Sequence, residues 1–393
     1  MAAHGLLCLA MTPNFIPPQT PALVIDKAAL MHNLKTMQEA VSRAGLRLRT
    51  HGKMHKCSTL SRLQVEMGAV GLCCQTVGEA EAFARAGIAD LLVSAPVPRW
   101  GPPRLAALVR ETGVRLSIAV DSLAQIAALA EAAEGAGVEI GATVDVNIGM
   151  HRVGCTPAEA PLLARAVSDA PVLRYDGVQA YFGHLQHLAE GRTEANTAGT
   201  GRLKSLVAEL AAAGLAPPQV TGGGTGTYTL DIAGGAFTEL QCGSYALMDA
   251  EYADCGGPEG VWPFDAALYI AATVISAKHK GHVTIDCGLK ATSADVAPRV
   301  VAGAAPNSIW RSLGDEHGAV IHPSARRGDV DAIDADPEIA WPGDAPKEGD
   351  LVWLQPGHCD PTINLYDGFW VAGEDGSSEW WPVDARRSTS PIA

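Results

Sequence analysis

Between residues 46 and 241 the chain repeats one alternation: a short apolar, often β-branched run, then a longer Ala/Leu/Glu-rich run. The short runs fall at 46–50, 69–74, 90–94, 115–120, 142–147, 175–181, 219–221 and 238–241. Six links carry helix-like runs, at 58–67, 77–86, 104–112, 122–136, 158–168 and 196–213. The seventh, 222–237, is short and Gly-rich. Strands that are apolar without clean alternation suit a parallel sheet covered by helices. Eight of them, mostly joined by helices, predict an α/β fold built on a (βα)8 TIM-type barrel. An open doubly wound sheet is the alternative.

The texture changes after about Pro258. Seven of the eight tryptophans lie from Trp262 onward, helix-period runs vanish, and short β-like runs punctuated by Pro and Gly take over. These runs lie at 268–277, 282–287, 319–322, 351–355, 369–372 and 380–383. A length of 393 residues accommodates a large domain and a smaller one. The expected division is a barrel over 27–257 and a second, mostly β domain over 258–393, joined by an extended segment at about 12–26.

A formal charge of −14 argues against a nucleic-acid or anionic-membrane partner. Nine scattered cysteines, an odd number without a CxxC pair, fit free thiols in a reducing cytoplasm better than a disulfide framework. No apolar run approaches the roughly 18–20 residues of a membrane span. The run from Gly5 to Met11 lacks the basic flank of a signal peptide, and ordered chain is expected from near Thr20.

In a barrel, chemistry gathers at the C-terminal ends of the strands. The first run leads into Thr50-His51-Gly52-Lys53-Met54-His55-Lys56, and the second ends at Gln75. The fifth leads to Gly149-Met150-His151-Arg152, and the sixth to Tyr181-Phe182-Gly183-His184-Leu185-Gln186-His187. The seventh ends in Gly222-Gly223-Gly224-Thr225-Gly226-Thr227, the eighth in Gly243-Ser244-Tyr245. Glycine backbones and Thr and Ser hydroxyls after the last two strands suit an anion, and such loops are the usual phosphate site of these barrels. Taken alone, the Gly-rich stretch reads equally as a flexible turn. A lysine at a strand end can be desolvated and held beside positive neighbours, which frees its amine for a Schiff base. Lys53 is that candidate, and Lys56 its rival in the same loop. Arg152 offers a planar fork for an oxyanion, or makes a surface ion pair. His187 and His184 are candidate bases, and Tyr181 is a pocket residue or simple packing.

The C-terminal segment Pro356-Gly357-His358-Cys359-Asp360-Pro361-Thr362 reads as extended, where residues two apart point the same way. That puts His358 beside Asp360 and turns Cys359 aside. One imidazole and one carboxylate, with water completing the shell, suit Mg²⁺ or Mn²⁺. Zn²⁺ is favoured only if Cys359 is the ligand.

Together these residues resemble the fold-type III pyridoxal-phosphate enzymes, in the branch of D-threonine aldolase, 3-hydroxy-D-aspartate aldolase and D-serine dehydratase. The likeness runs from about Thr20 to Ala385. Its marks are Thr20–Asp26, His51–Lys56, Gly71–Gln75, Gly222–Thr227, Glu239–Tyr245, Asp315–Gly318 and Pro356–Thr362. The resemblance implies an alanine-racemase-like fold, a homodimer and pyridoxal phosphate carried by Lys53. It implies Arg152 near the cofactor's phenolic oxygen, Tyr181 near its ring and Gln75 in the pocket. Thr225, Gly226, Gly243, Ser244 and Tyr245 match cofactor and phosphate contacts, His187 the aldolases' base, and His358 with Asp360 their metal pair. D-serine dehydratases tend to carry cysteine where Asp360 stands, so the expected reaction is cleavage of a D-3-hydroxy amino acid to glycine and an aldehyde. Dehydration of such a substrate is the first alternative. A non-catalytic pyridoxal-phosphate-binding barrel and a cofactor-free barrel acting on a sugar phosphate are the others. The loop from Asp145 to Arg152 departs from the aldolases' pattern, and His151 and His184 add polar bulk, leaving methyl, aryl and carboxylate β-substituents open.

Overall fold

A computed structural model describes residues 12–257, 260–325 and 345–386. These residues form two compact units that interleave along the chain. Of the described residues, one contains 34–245, 255–257, 260–262 and 384–386. The other gathers the chain up to Asn33, Ala246–Asp254 and Pro263–Val383.

The first unit is a closed barrel of eight parallel strands. They are β2 (Arg47–His51), β3 (Gly71–Cys74), β4 (Asp90–Val93), β5 (Arg115–Val120), β6 (Ile140–Asp145), β7 (Leu173–Ala180), β8 (Val220–Gly222) and β9 (Glu239–Leu240). β9 pairs back onto β2, Leu240 opposite Leu48, and closes the ring. All eight expected barrel strands are present with their ends shifted by a few residues, and the open doubly wound sheet is excluded by the closure. The connecting helices are α2 (Ser58–Glu66), α3 (Val77–Arg85), α4 (Gly101–Thr112), α5 (Leu123–Ala136), α6 (Ala160–Asp169) and α7 (Arg192–Ala212). Their starts follow the local sequence. Thr76 and Ser122 sit in extended backbone and accept the N–H of Glu79 at 3.2 Å and of Gln125 at 3.4 Å. The Gly-rich link after β8 holds a further helix, α8 (Tyr228–Gly234), that its glycines hid. It is anchored by buried Asp231, which accepts the Thr227 hydroxyl at 2.6 Å and the Asn196 amide at 2.8 Å.

The barrel interior is polar. Arg49 on β2 is 5% exposed and is gripped by Glu239 of β9 at 2.8 Å and Asp90 of β4 at 2.7 Å. Glu239 also accepts the Thr221 hydroxyl of β8 at 2.9 Å. Gln241 bridges Thr221 at 3.0 Å and Gln179 of β7 at 3.1 Å, and Gln179 donates to the Ser94 carbonyl at 3.0 Å. These buried polar groups are tolerated because they partner one another.

The second unit is a nine-stranded sheet. Its members are β1 (Ala22–Asp26), β10 (Leu268–Ser276), β11 (His282–Ile285), β12 (Arg299–Ala302), β13 (Ile309–Ser312), β14 (Gly318–Ile321), β15 (Leu351–Gln355), β16 (Gly368–Ala372) and β17 (Ser378–Pro382). Six strands, in the order β11-β14-β13-β12-β15-β10, form a ring closed by the β10–β11 pairing. The extended N-terminal segment joins as β1, antiparallel to β10 and parallel to β16. β12 and β13 escaped the sequence reading: each is only four residues long, and the apolar residues (Val300, Val301 and Ala302; Ile309 and Trp310) run together without alternation. Val24, Tyr269, Ala271, Trp353 and Ala372 form one core cluster of this unit.

Among the described residues no helix is long and apolar enough to cross a membrane. The eight described cysteines are all free thiols, seven of them buried.

Candidate active site

Lys53 lies half-buried in the turn that follows β2. The turn is closed by the Lys56 N–H donating to the Gly52 carbonyl at 2.8 Å. Gly52 is required here: a Cβ would come within 2.7 Å of the Phe83 ring. Lys56, the rival, is committed elsewhere, its Nζ 2.9 Å from buried Glu79. The other Glu79 oxygen accepts the Gln75 N–H at 2.7 Å, so one carboxylate ties the ends of β2 and β3 together. The Gln75 side chain accepts from Ser94 Oγ at 3.4 Å, and Ser94 Oγ also meets His51 Nε2 at 3.1 Å.

Behind the same turn, His55 is fully buried. Its Nδ1 accepts the Cys57 N–H at 3.1 Å, which leaves Nε2 as the donor to Gln64 Oε1 at 3.2 Å. Gln64 in turn reaches the Tyr245 hydroxyl at 3.4 Å. Tyr245 is therefore a buried tie between the end of β9 and α2. Its backbone N–H donates to Thr225 Oγ1 at 3.0 Å, joining the loops after β8 and β9.

Those loops differ from the expected ring of amides in one respect. The Gly226 N–H is donated to Gln186 Oε1 at 2.8 Å. A Cβ on Gly226 would lie 2.1 Å from the Gln186 carbonyl, so the glycine serves close approach of two loops. Gln186 also donates to Phe182 O at 3.2 Å and to Thr227 Oγ1 at 3.0 Å. It is the buried staple of the loop that ends in exposed His187, and the sequence reading passed over it. Gly243 packs on His51, its virtual Cβ 3.1 Å from the His51 Cβ, and Ser244 is half-buried beside it.

The structure brings Arg152 and Tyr181 together, the guanidinium 5.6 Å from the ring centroid. Asp145, at the end of β6, is a further neighbour that the sequence reading did not single out. Burial pushes its carboxyl up to about 6, and the Gln179 hydrogen bond and the Arg152 charge hold it back from rising further. His151 takes a left-handed backbone (φ 57°) stabilised by Asn147 Oδ1, which accepts its N–H at 3.1 Å. His184 packs on Gly149, and burial together with His151 and Arg202 lowers its basicity. The donor set, an amine, a guanidinium and hydroxyls on loops after parallel strands, fits an anionic aldehyde such as pyridoxal phosphate.

The other unit holds the second cluster. The extended reading of 356–362 is overturned in its second half: His358 is extended (φ −138°, ψ 120°), but Cys359–Ile363 form a short helix, α10. Pro361 permits this because a proline in a first helical turn forfeits no hydrogen bond. Thr362 Oγ1 donates to the His358 carbonyl at 2.7 Å. The pairing nevertheless survives, with His358 Nε2 3.9 Å from Asp360 Oδ2. Cys359 points away: it is 1% exposed, and its Sγ meets the Met248 carbonyl at 3.7 Å. Burial raises its thiol well above the ordinary value.

Two carboxylates absent from the sequence reading support this turn. Buried Asp249 accepts the Cys359 N–H at 3.0 Å and the Tyr252 N–H at 3.0 Å. Asp295 lies 2.7 Å from His358 Nδ1. Burial lowers the His358 basicity, but the hydrogen bond to Asp295 and the charges of Asp360, Asp249 and Asp295 outweigh it and hold the imidazole above its ordinary value. No group of three or more His, Cys, Asp or Glu among the described residues is set to hold a metal ion unaided. One imidazole and one carboxylate do fit a hard divalent ion that keeps positions for water and substrate.

The alanine racemase N-terminal domain family matches residues 25–251, and the putative serine dehydratase domain family matches 267–372. The 3-hydroxy-D-aspartate aldolase of Paracoccus denitrificans is 39% identical over 381 residues, covering 94% of this chain and 92% of that protein. The crystal structure of D-threonine aldolase from Filomicrobium marinum superposes with a TM-score of 0.84 at 34% identity, covering 94% of this chain and 96% of its own. A D-threo-3-hydroxyaspartate dehydratase of Delftia sp. stands further off, at 27% identity over 94% of this chain and 98% of its own. The chain belongs to the fold-type III pyridoxal-phosphate family that contains the 3-hydroxy-D-aspartate and D-threonine aldolases.

Proposed function

We propose that this protein is a lyase that cleaves a D-3-hydroxy amino acid, of the threonine or 3-hydroxyaspartate type, to glycine and an aldehyde. The observation that carries the reading is the family's chemistry set onto one barrel rim: Lys53, the Arg152–Tyr181 stack and the Thr225–Tyr245 tie all follow parallel strands of one closed barrel. Aldol cleavage is favoured over dehydration by the greater identity to an aldolase and, by the family resemblance, by Asp360 where D-serine dehydratases tend to carry cysteine.

In this reading Lys53 holds the cofactor through its amine. Arg152 neutralises the phenolic oxygen, Tyr181 packs by the ring and Gln75 lines the pocket. Thr225, Gly226, Gly243, Ser244 and Tyr245 would line the cofactor and its phosphate. When bound, pyridoxal phosphate supplies an electron sink for the carbanion left as the Cα–Cβ bond breaks. A divalent ion, Mn²⁺ or Mg²⁺, held by His358 and Asp360 supplies a Lewis acid for the β-hydroxyl. His187 takes the β-hydroxyl proton as general base. The family's homodimer and a cytoplasmic location complete the proposal. The buried free thiols suit a reducing compartment.

The test is an absorbance spectrum and product assay on wild type and Lys53→Ala. With D-threonine or D-3-hydroxyaspartate and Mn²⁺, wild type should show a visible cofactor band and release aldehyde, and the variant should lose both. A colourless wild type after cofactor addition would overturn the reading. Ammonia in place of aldehyde would turn it to dehydration.

A further inference from the structure

Three carboxylates surround His358, and their geometry sorts them into different duties. Asp249 is buried, and its two oxygens accept the Tyr252 and Cys359 N–H groups, so it shapes the backbone of α10. Asp360 stands on the Nε2 side of the imidazole at 3.9 Å. Asp295 stands on the other side, its Oδ2 2.7 Å from Nδ1. An ionised carboxylate only accepts, so Nδ1 carries the hydrogen; once the ring is neutral, as a metal ligand must be, the lone pair is on Nε2, the side on which Asp360 stands. The loop that brings Asp295 here is pinned to the same turn. Ser293 N–H donates to Thr362 Oγ1 at 3.1 Å, and Thr362 Oγ1 donates to the His358 carbonyl at 2.7 Å. Asp295 Oδ1 accepts the Val296 N–H at 3.0 Å, which orients the carboxylate itself. Side-chain exposures of 30% for His358 and 52% for Asp295 mean that packing alone does not hold the ring.

We propose that Asp295 is a positioning residue: it fixes the tautomer and rotation of His358, so that Nε2 is aimed at a divalent cation shared with Asp360. The inference rests on the metal reading given above. Outer partners of ligating histidines act in this way, and their loss costs about 10–100-fold in metal affinity.

The test is a Mn²⁺ titration of the cofactor-loaded protein, with unbound Mn²⁺ followed by electron paramagnetic resonance. The proteins compared are wild type, His358→Ala, Asp295→Ala and Asp295→Asn. His358→Ala should abolish saturable binding. Asp295→Ala should weaken binding about 10–100-fold with cofactor absorbance and thermal midpoint unchanged. Asp295→Asn, whose amide oxygen still accepts from Nδ1, should recover most of that loss. If His358→Ala binds Mn²⁺ as wild type does, the metal reading itself falls and this proposal with it. If only His358→Ala loses binding, Asp295 has no positioning role. An Asp295→Ala defect accompanied by a lowered thermal midpoint, with no recovery in Asp295→Asn, would mark a structural residue and overturn the proposal.

Discussion

The barrel rim and the α10 turn carry chemistry by opposite constructions. At the rim, candidate residues arrive one to three per connection, from the ends of six parallel strands. Several are backed by buried polar ties: Glu79 behind Gln75 and its neighbour Lys56, Gln64 behind Tyr245, Gln186 behind the His187 loop. At the turn, His358 and Asp360 sit two residues apart, and their supports, Asp249 and Asp295, come from remote segments. The rim is positioned by the barrel's closure. The turn is positioned by a handful of hydrogen bonds on irregular backbone, so it should be the more easily separated from the rest.

Separation is the largest effect to seek. Chelation, or His358→Ala, should cut aldehyde release by on the order of 10²-fold or more while the cofactor band persists. Substitution at the rim behaves differently: Lys53→Ala should lose band and product together. A His358→Ala protein that loses its band would erase the distinction.

The next effect contrasts the ion pairs of the two units. Arg49 is buried between Glu239 and Asp90. Arg49→Met removes the buried partner of two carboxylates, leaving Glu239 with Arg47 at 3.5 Å and Asp90 with Arg115 at 3.4 Å, and should cost about 3 kcal/mol in urea unfolding. Lys290, paired with Glu316 at 2.7 Å in the β unit, has a side chain 63% exposed. Lys290→Ala should cost less than about 1 kcal/mol. Equal losses would mean that the barrel's polar interior is not the stabilising layer its geometry suggests.

How far each construction shows in the sequence follows from the same contrast. Parallel strands announce themselves as apolar runs at regular spacing, so the barrel and the strand-end locations of Lys53, Arg152, Tyr181 and Thr225 were legible. The ties were not. Gln64, Glu79 and Gln186 look like ordinary helix or loop residues until the closure sets them under the rim. In the β unit, β12 and β13 lack apolar alternation, and α10 hid behind Pro361, which reads as a breaker unless its place in the first turn is known. Asp249 and Asp295 lie 109 and 63 residues from His358 (358 − 249 and 358 − 295), and no spacing rule links them.

The smallest effect reads the rim's electrostatics directly. Burial raises the Asp145 carboxyl from 3.8 to about 6. In the unfolded chain this group loses its proton near pH 4, while the folded barrel retains it until about pH 6. Stability from this group is therefore complete at pH 4 and falls as pH rises through 6, by about 3 kcal/mol for a shift of this size. Asp145→Asn, which retains an amide oxygen for the Gln179 contact, removes the titration. Its unfolding free energy should match wild type near pH 4 and exceed it by up to about 3 kcal/mol at pH 8. The loss of the carboxylate near Arg152 works against that gain, because the guanidinium forfeits a favourable neighbour. A variant less stable than wild type at pH 8 would therefore show that the Arg152 attraction, not burial, governs this end of β6.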